Sequence, residues 1–334
     1  MASIHCLPVR ICCLLLFLAG SGNSMGVHSN VNSPDPVILC NNKLPFEKDP
    51  VVKTDSANCI IPFSRAGNLI IIRAKVDTVE GNFILDTGAP GLVLNIPYFR
   101  NYTTIEQPEE IQGGLTGRVE DAGRVHIDSL GFGPVHYYKA EADRINLGHI
   151  ENRKGIKIHG LLGMQLFKHF EMIIDYENNL IYLHHLSKKE DKNYRHPLLQ
   201  DPAAYVETPI NFIENKLITY VYSAGKKLSF VVDSGAESNL IDSRLPDKIM
   251  DNVIVNKRVF LSGTGSAKVE ALSGSINTLK IGNCEVANLP VIVTNLEKLC
   301  FAYNRCLDGM LGFDFLSRQK IGFNFVKRKM YIWK

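Results

Sequence analysis

The sequence predicts an all-β (mainly β) protein: two homologous barrel-like lobes in one chain, with the functional site between them. Three observations carry this. Asn82-Phe-Ile-Leu-Asp-Thr-Gly-Ala89 and Ser229-Phe-Val-Val-Asp-Ser-Gly-Ala236 each run an apolar strand pattern into an Asp-(Thr/Ser)-Gly-Ala turn, 147 residues apart. Gly160-Leu-Leu-Gly163 and Gly309-Met-Leu-Gly312 recur at an offset of 149, each followed by two further strand patterns. Strand-like runs are short and broken by glycine turns, while helical signals are few. A period this long excludes a solenoid and describes one lobe-sized unit used twice.

At the N-terminus, Arg10 precedes the uninterrupted apolar run Ile11-Cys-Cys-Leu-Leu-Leu-Phe-Leu-Ala19, and small residues follow to Ser24. This is the layout of a secretory signal, too short to span a membrane as a helix. Residues 1–24 are read as that signal, so the chain is expected to be exported, to the medium or a periplasm, with no stable membrane insertion. Residues 25–58 are polar, carry four prolines and read as an N-terminal arm.

The first lobe is expected over 59–186. Leu69-Ile-Ile-Ile-Arg-Ala-Lys-Val76 is a β-branched strand, Val79-Glu-Gly81 a turn, and Asn82–Leu85 the returning arm of a hairpin. Arg124-Val-His-Ile-Asp128 suits a half-buried strand, and a short helical signal lies at Gln165–His169. The charged stretch Ser187-Lys-Lys-Glu-Asp-Lys-Asn-Tyr-Arg-His-Pro197 lacks an apolar period and places a linker at 187–204. The second lobe, 205–334, repeats the plan: Lys216–Tyr222, a turn at Ala224-Gly225, Leu228–Val232, the strand Ser275–Ile281, and a helical signal at Asp314–Ser317.

Export permits disulfides. Five cysteines follow the signal. Cys300 and Cys306 flank a short loop before Gly309 and read as a bridge. Cys40 and Cys59 are a candidate second pair, leaving Cys284 unpaired; the alternative is five buried thiols. The sequon Asn101-Tyr-Thr103 matters only in a glycosylating host. Net charge is +3 with scattered lysines and arginines, which argues against a nucleic-acid partner. The ten histidines show no metal spacing and no phosphate-cradling glycine motif appears, so neither metal nor cofactor is expected.

Paired half-sites built on Asp86 and Asp233 suit acid/base hydrolysis. Two carboxyls at close range cannot both ionise comfortably, so they share a proton. The charged one can activate a water while the protonated one polarises a carbonyl. Gly88 and Gly235 allow a sharp turn beside each carboxylate, Thr87 and Ser234 offer hydroxyls to lock one loop to the other, and the preceding apolar strands bury all but the carboxylate tips. Asp175 lies in an apolar run, but its repeat counterpart is Asn324, which suits a structural hydrogen bond.

On these motifs the chain resembles aspartic proteases of the retropepsin-like kind, with two lobes fused as in the pepsin-like enzymes. The resemblance covers about residues 59 to 334. It implies two acid-protease lobes with the active site between them, Asp86 and Asp233 as catalytic aspartates, and Thr87 and Ser234 as the interlocking hydroxyls. It also implies that Leu161-Leu-Gly163 and Met310-Leu-Gly312 pack beneath the catalytic loops. Flaps are then expected at Ile111-Gln-Gly113-Gly114-Leu-Thr-Gly117 and Leu261-Ser-Gly263-Thr-Gly265, glycine-rich and without the flap tyrosine of pepsin-like enzymes. Pro90, directly after Ala89, departs from the family pattern. The expected function is a secreted aspartic endopeptidase acting on extended polypeptide as a monomer with an internal pseudo-two-fold. The alternative is a catalytically weak or inactive peptide-binding module on the same fold.

Overall fold

The computed structural model describes residues 17–19, 50–53, 58–106, 122–187, 190, 194–213, 216–262, 268–302 and 306–334. Among the described residues strands account for 57% and helices for 12%, so β structure decides the fold, which includes a closed six-strand barrel. One nine-stranded sheet forms the first lobe. Its order is Val51–Val52, Val135–Ile145, Leu92–Asn95, Gly160–Gly163, Val79–Asp86, Leu69–Val76, Gly123–Phe132 and Thr104–Glu106, with Ser64–Ala66 beside Leu69–Val76. A fourteen-stranded sheet holds the second lobe and the strands that join the lobes.

Each aspartate ends the second arm of a hairpin. In the first lobe Val76 pairs with Val79, so the turn is Asp77-Thr78 rather than Val79–Gly81. Asp77 takes φ 52°, a conformation that Asp tolerates better than most residues. Its carboxylate then accepts from Ser129 N at 2.7 Å and from the Tyr102 hydroxyl at 2.8 Å, which fixes the turn. Gly81 sits inside the strand for a different reason: a Cβ there would overlap the His159 ring. The second hairpin turns at Ala224-Gly225 as expected. Both residues have positive φ (48° and 76°), which matches a two-residue turn to the strand twist.

The two Leu-Gly elements complete each lobe in the same way. Gly160–Gly163 runs parallel to Val79–Asp86 and antiparallel to Leu92–Asn95. Gly309–Leu311 runs parallel to Lys226–Val232 and antiparallel to Leu240–Asp242. The two Leu-Gly strands and their antiparallel neighbours are buried along their length, and apart from Asn95 and Asp242 their residues are accordingly non-polar rather than alternating. A Cβ on Gly163 would fall 2.7 Å from Ala89 O, and one on Gly312 would fall 2.6 Å from Ala236 O. Glycine is required at both because the strand passes directly under the Asp loop. Met164 N donates to Ala89 O and Phe313 N to Ala236 O (2.9 and 2.8 Å), so the loops rest on these elements as the resemblance implies. Short helices follow, a 3-10 turn at Met164–Phe167 and an α turn at Phe313–Leu316.

The lobes meet in a shared antiparallel run of six strands. Asn58–Pro62, Leu180–His185 and Phe170–Asp175 come from the first half, and Ile321–Asn324, Lys329–Trp333 and Tyr205–Ile213 from the second. At the centre Met172 pairs with Phe323 and Ile173 with Gly322. Each half contributes the same three strands in mirrored order, so the internal repeat becomes a pseudo-two-fold. The main apolar core is continuous across this junction, from Phe83 and Leu85 through Met172 and Phe323 to Val232. Asp175 ends its strand in a structural role, accepting from both Asn178 nitrogens and from Lys320 at 3.0 Å.

Cys300 and Cys306 form a disulfide with Cα atoms 4.1 Å apart. Cys59 is a free thiol, which corrects the candidate Cys40–Cys59 pair; Cys40 itself lies outside the described residues. The strand alternation turns Cys59 and Ile61 inward, and burial pushes the thiol up to about 11. Cys284 is also free. Within the apolar N-terminal run, Phe17–Ala19 pairs antiparallel with Phe260–Ser262 at the edge of the large sheet. Among the described residues, no helix is long and apolar enough to cross a membrane.

Candidate active site

Asp86 ends the strand Val79–Asp86, Asp233 directly follows the equivalent strand Lys226–Val232, and the two meet across the lobe boundary. Gly88 N and Ala89 N both donate to Asp86 Oδ1, at 2.8 and 2.9 Å. Asp233 Oδ1 receives one amide, Gly235 N at 2.8 Å; Ala89 N and Ala236 N both donate to their aspartate's backbone carbonyl, at 3.2 and 3.3 Å, but only Ala89 N also reaches the carboxylate. The two halves are therefore alike in backbone but unequal in donors. Backbone amides hold the two Oδ1 atoms, whereas Asp86 Oδ2 and Asp233 Oδ2 receive no hydrogen bond from outside the pair.

The glycines serve the site through space rather than through a left-handed turn. Neither Gly88 nor Gly235 takes positive φ. A Cβ on Gly235 would stand 2.6 Å from Asp86 Cγ, and a Cβ on Gly88 would overlap the Asp233 carboxyl. Each carboxyl packs against the opposite loop's glycine. Both aspartates are consequently fully buried, at 0% exposure, instead of meeting water at their tips as the sequence suggested.

The hydroxyls at the next position lock the loops together. Thr87 N donates to Ser234 Oγ at 3.0 Å and Ser234 N donates to Thr87 Oγ1 at 2.9 Å. The same hydroxyls donate onward, Thr87 Oγ1 to Val232 O at 2.9 Å and Ser234 Oγ to Leu85 O at 2.8 Å. Four buried bonds thus cross between the lobes directly below the carboxyls. A polar network in so dry a place is stabilising only because every member has a partner.

Burial disfavours the charged form and raises the proton affinity of both carboxyls. Asp233 is pushed well above the usual carboxylate range, by burial first and then by the neighbouring Asp86 charge. Asp86 is raised by burial too, but contact with Asp233, the charge of Lys216 and its two amide donors oppose the rise.

The sequence did not single out Lys216, Asn68, Glu237 or Lys154. Lys216 opens the first strand of the second aspartate hairpin, Asn68 immediately precedes that of the first, and both reach into the opposite lobe. Lys216 Nζ donates to Gly88 O at 2.6 Å, and Asn68 N donates to Glu237 Oε2 at 3.2 Å. Glu237 is clasped in turn by Lys154, at 2.6 Å from both carboxylate oxygens. Aligning the two repeats on their aspartates sets Lys216 opposite the buried, apolar Leu69, and that mismatch was the signal that could have flagged it. The flap candidates Gly113, Gly114, Gly263 and Gly265 lie outside the described residues. A separate cavity of about 330 Å³, lined by Arg65, Tyr176, Phe313 and Lys320 among others, contains neither aspartate.

The family model described as aspartyl protease matches residues 72–166 and 219–315, one match per lobe. The chain belongs to the aspartyl protease family. No curated protein matches it. Among solved structures, it is similar to conglutin gamma, a basic 7S globulin from lupine seeds, at 10% identity and a TM-score of 0.44, covering 84% of this chain and 95% of that one. The aspartic proteinase from Irpex lacteus gives 10% identity and a TM-score of 0.44, covering 83% and 97%, and basic 7S globulin from soybean gives 9%, 0.44, 83% and 94%. At those scores nothing about this aspartyl protease's activity follows from its neighbours. The bilobal fold rests on its own two matched lobes and their shared sheet.

Proposed function

We propose that this aspartyl protease is an exported endopeptidase that hydrolyses extended polypeptide through a water held between Asp86 and Asp233. The observation that carries the reading is the arrangement of the carboxyl oxygens. Backbone amides hold the two Oδ1 atoms, while the two Oδ2 atoms receive no hydrogen bond from outside the pair. The pair can then share a proton, the pattern known of aspartic proteases at large. Charged Asp86 acts as general base on the water, and protonated Asp233 donates to the scissile carbonyl oxygen. As the water attacks, its proton passes to Asp86, and the amine leaves with a proton returned from the pair. Each lobe supplies one aspartate, so a monomer suffices.

Export is supported by the apolar run Ile11–Ala19 and by the Cys300–Cys306 disulfide, which needs an oxidising compartment to persist. N-terminal sequencing of the exported chain tests it, with cleavage near Ser24 expected.

The full burial of both carboxyls favours a second reading, a peptide-binding module of weak or no activity, because substrate reaches the pair only if the site opens. Incubation with an unfolded protein across pH, read by mass spectrometry, separates the two. New termini produced by the wild type and absent with Asp86→Asn support the endopeptidase. Peptide binding without cleavage supports the module.

A further inference from the structure

One buried cation beside the dyad has no part in the scheme above. Lys216 opens the strand Lys216–Ser223 and is 4% exposed, and its Nζ lies on the Gly88 carbonyl at 2.6 Å. Gly88 is the residue whose amide holds Asp86 Oδ1. The ammonium of the second lobe is therefore seated on the loop that carries the first lobe's aspartate. Its equivalent in the first lobe, at the 147-residue offset of the aspartates, is Leu69, which is apolar and fully buried.

We propose that Lys216 is a positioning residue that fixes the charge state of the dyad, holding Asp86 as the ionised member and leaving the proton on Asp233. The inference deepens the reading of Asp86 and Asp233 as a proton-sharing pair and rests on it. A dry pair of carboxyls with no cation nearby is most stable with both protonated, because burial penalises every charge. A doubly protonated pair has no base. One buried ammonium changes the balance: Lys216 positive, one carboxyl negative and one neutral sum to zero.

Donor count then decides which carboxyl carries the charge. Asp86 has two amide donors and Asp233 has one. The field of Lys216 favours the ionised form of both aspartates, in keeping with a cation set beside the pair. The other charged groups on the surrounding elements are engaged elsewhere. Glu237 is paired with Lys154, Glu207 with Lys329, and Lys227 lies over the Tyr220 ring, while Asp314 accepts from Ser238.

The test is a carbon-13 carboxyl NMR titration of Asp86 and Asp233, assigned through the Asp86→Asn and Asp233→Asn variants. In the wild type Asp86 is expected to ionise first. In Lys216→Met the first ionisation is expected to rise by about one pH unit or more, the least that loss of an adjacent opposite charge produces. Lys216→Gln should do the same, and Lys216→Arg should restore the wild-type titration. With an active enzyme, the acidic limb of kcat/KM should move upward with the first ionisation. A titration in which Asp233 ionises first in the wild type overturns the proposal, as does an unchanged titration in a folded neutral variant. The wild-type result stands even if both neutral variants fail to fold. A chain that titrates as expected but cleaves nothing would leave this role of Lys216 intact and remove the endopeptidase reading instead.

Discussion

Thr87 and Ser234 each accept the other's backbone amide across the lobe boundary, at 3.0 and 2.9 Å, and each hydroxyl donates onward into the opposite strand. Thr87→Val keeps the shape and removes the hydroxyl, which leaves Ser234 N and Val232 O buried without partners. Each orphaned group costs about 1–3 kcal/mol. Denaturant unfolding should show a loss of that size, with activity falling further because the carboxyls lose their common base. A variant as stable as the wild type would mean that the lobes do not depend on this contact.

The burial that raises Asp233 makes a prediction of opposite sign for stability. A carboxyl whose folded proton affinity is raised binds more protons folded than unfolded. Stability therefore falls as pH climbs from the ordinary aspartate range, near 3.8, through the raised folded value. Asp233→Asn removes that penalty and keeps an oxygen for Gly235 N. The variant should be more stable than the wild type at pH 7 and no more stable at pH 3. Thermal unfolding at the two pH values measures this, and a variant less stable than the wild type at neutral pH would contradict the burial argument.

Glu237 lies next to Ala236 in the second lobe, yet its partners Lys154 and Asn68 belong to the first. Both side chains of the ion pair are nearly buried, at 11% and 13% exposure. Lys154→Met should cost about 3 kcal/mol, the lower end for breaking a buried pair. Lys154→Met combined with Glu237→Gln should cost less than that single change, because no charge is then stranded. Equal or greater loss in the double variant, by denaturant unfolding, would show that packing rather than charge holds this corner.

Ala89 and Ala236 follow the Asp-(Thr/Ser)-Gly turns and bring no side-chain donor, whereas a serine or threonine there would add one. A donor to a carboxylate favours its charged form and lowers its proton affinity. A bell-shaped profile of peptide cleavage is therefore expected in the mildly acidic range, and Ala89→Ser is expected to move it to lower pH. A strongly acidic optimum that the substitution leaves unchanged would exclude these alanines as its cause.

The strands and the paired aspartates were legible because they are local and duplicated. The apolar runs into Asp86 and Asp233 and the Leu-Gly elements leave the same pattern twice, and the Ala224-Gly225 turn has ordinary hairpin chemistry. What failed depended on contacts distant in sequence. Gly81 looked like a turn residue but is a glycine because His159 lies against it. Gly88 and Gly235 looked like flexible corners but are glycines because the opposite carboxyl fills the space. Lys216 reads as an ordinary surface lysine until the first lobe is docked on it. The short helices Gly148–Lys154, Asp247–Met250 and Glu297–Ala302 carry too few turns for an apolar period and were not anticipated. The joining sheet was invisible for a further reason: its six strands come from both halves, and no single segment announces its partner.

The central claim is that Asp86 and Asp233 act as one catalytic unit. Its most direct measurement is kcat/KM on an unfolded polypeptide for Asp86→Asn, Asp233→Asn and the double variant. Each single variant is expected to lose at least about a thousandfold, and the double variant little more than either, because groups that share one proton fail together. A single variant that keeps about a tenth of wild-type turnover, or losses that simply multiply, would contradict the claim.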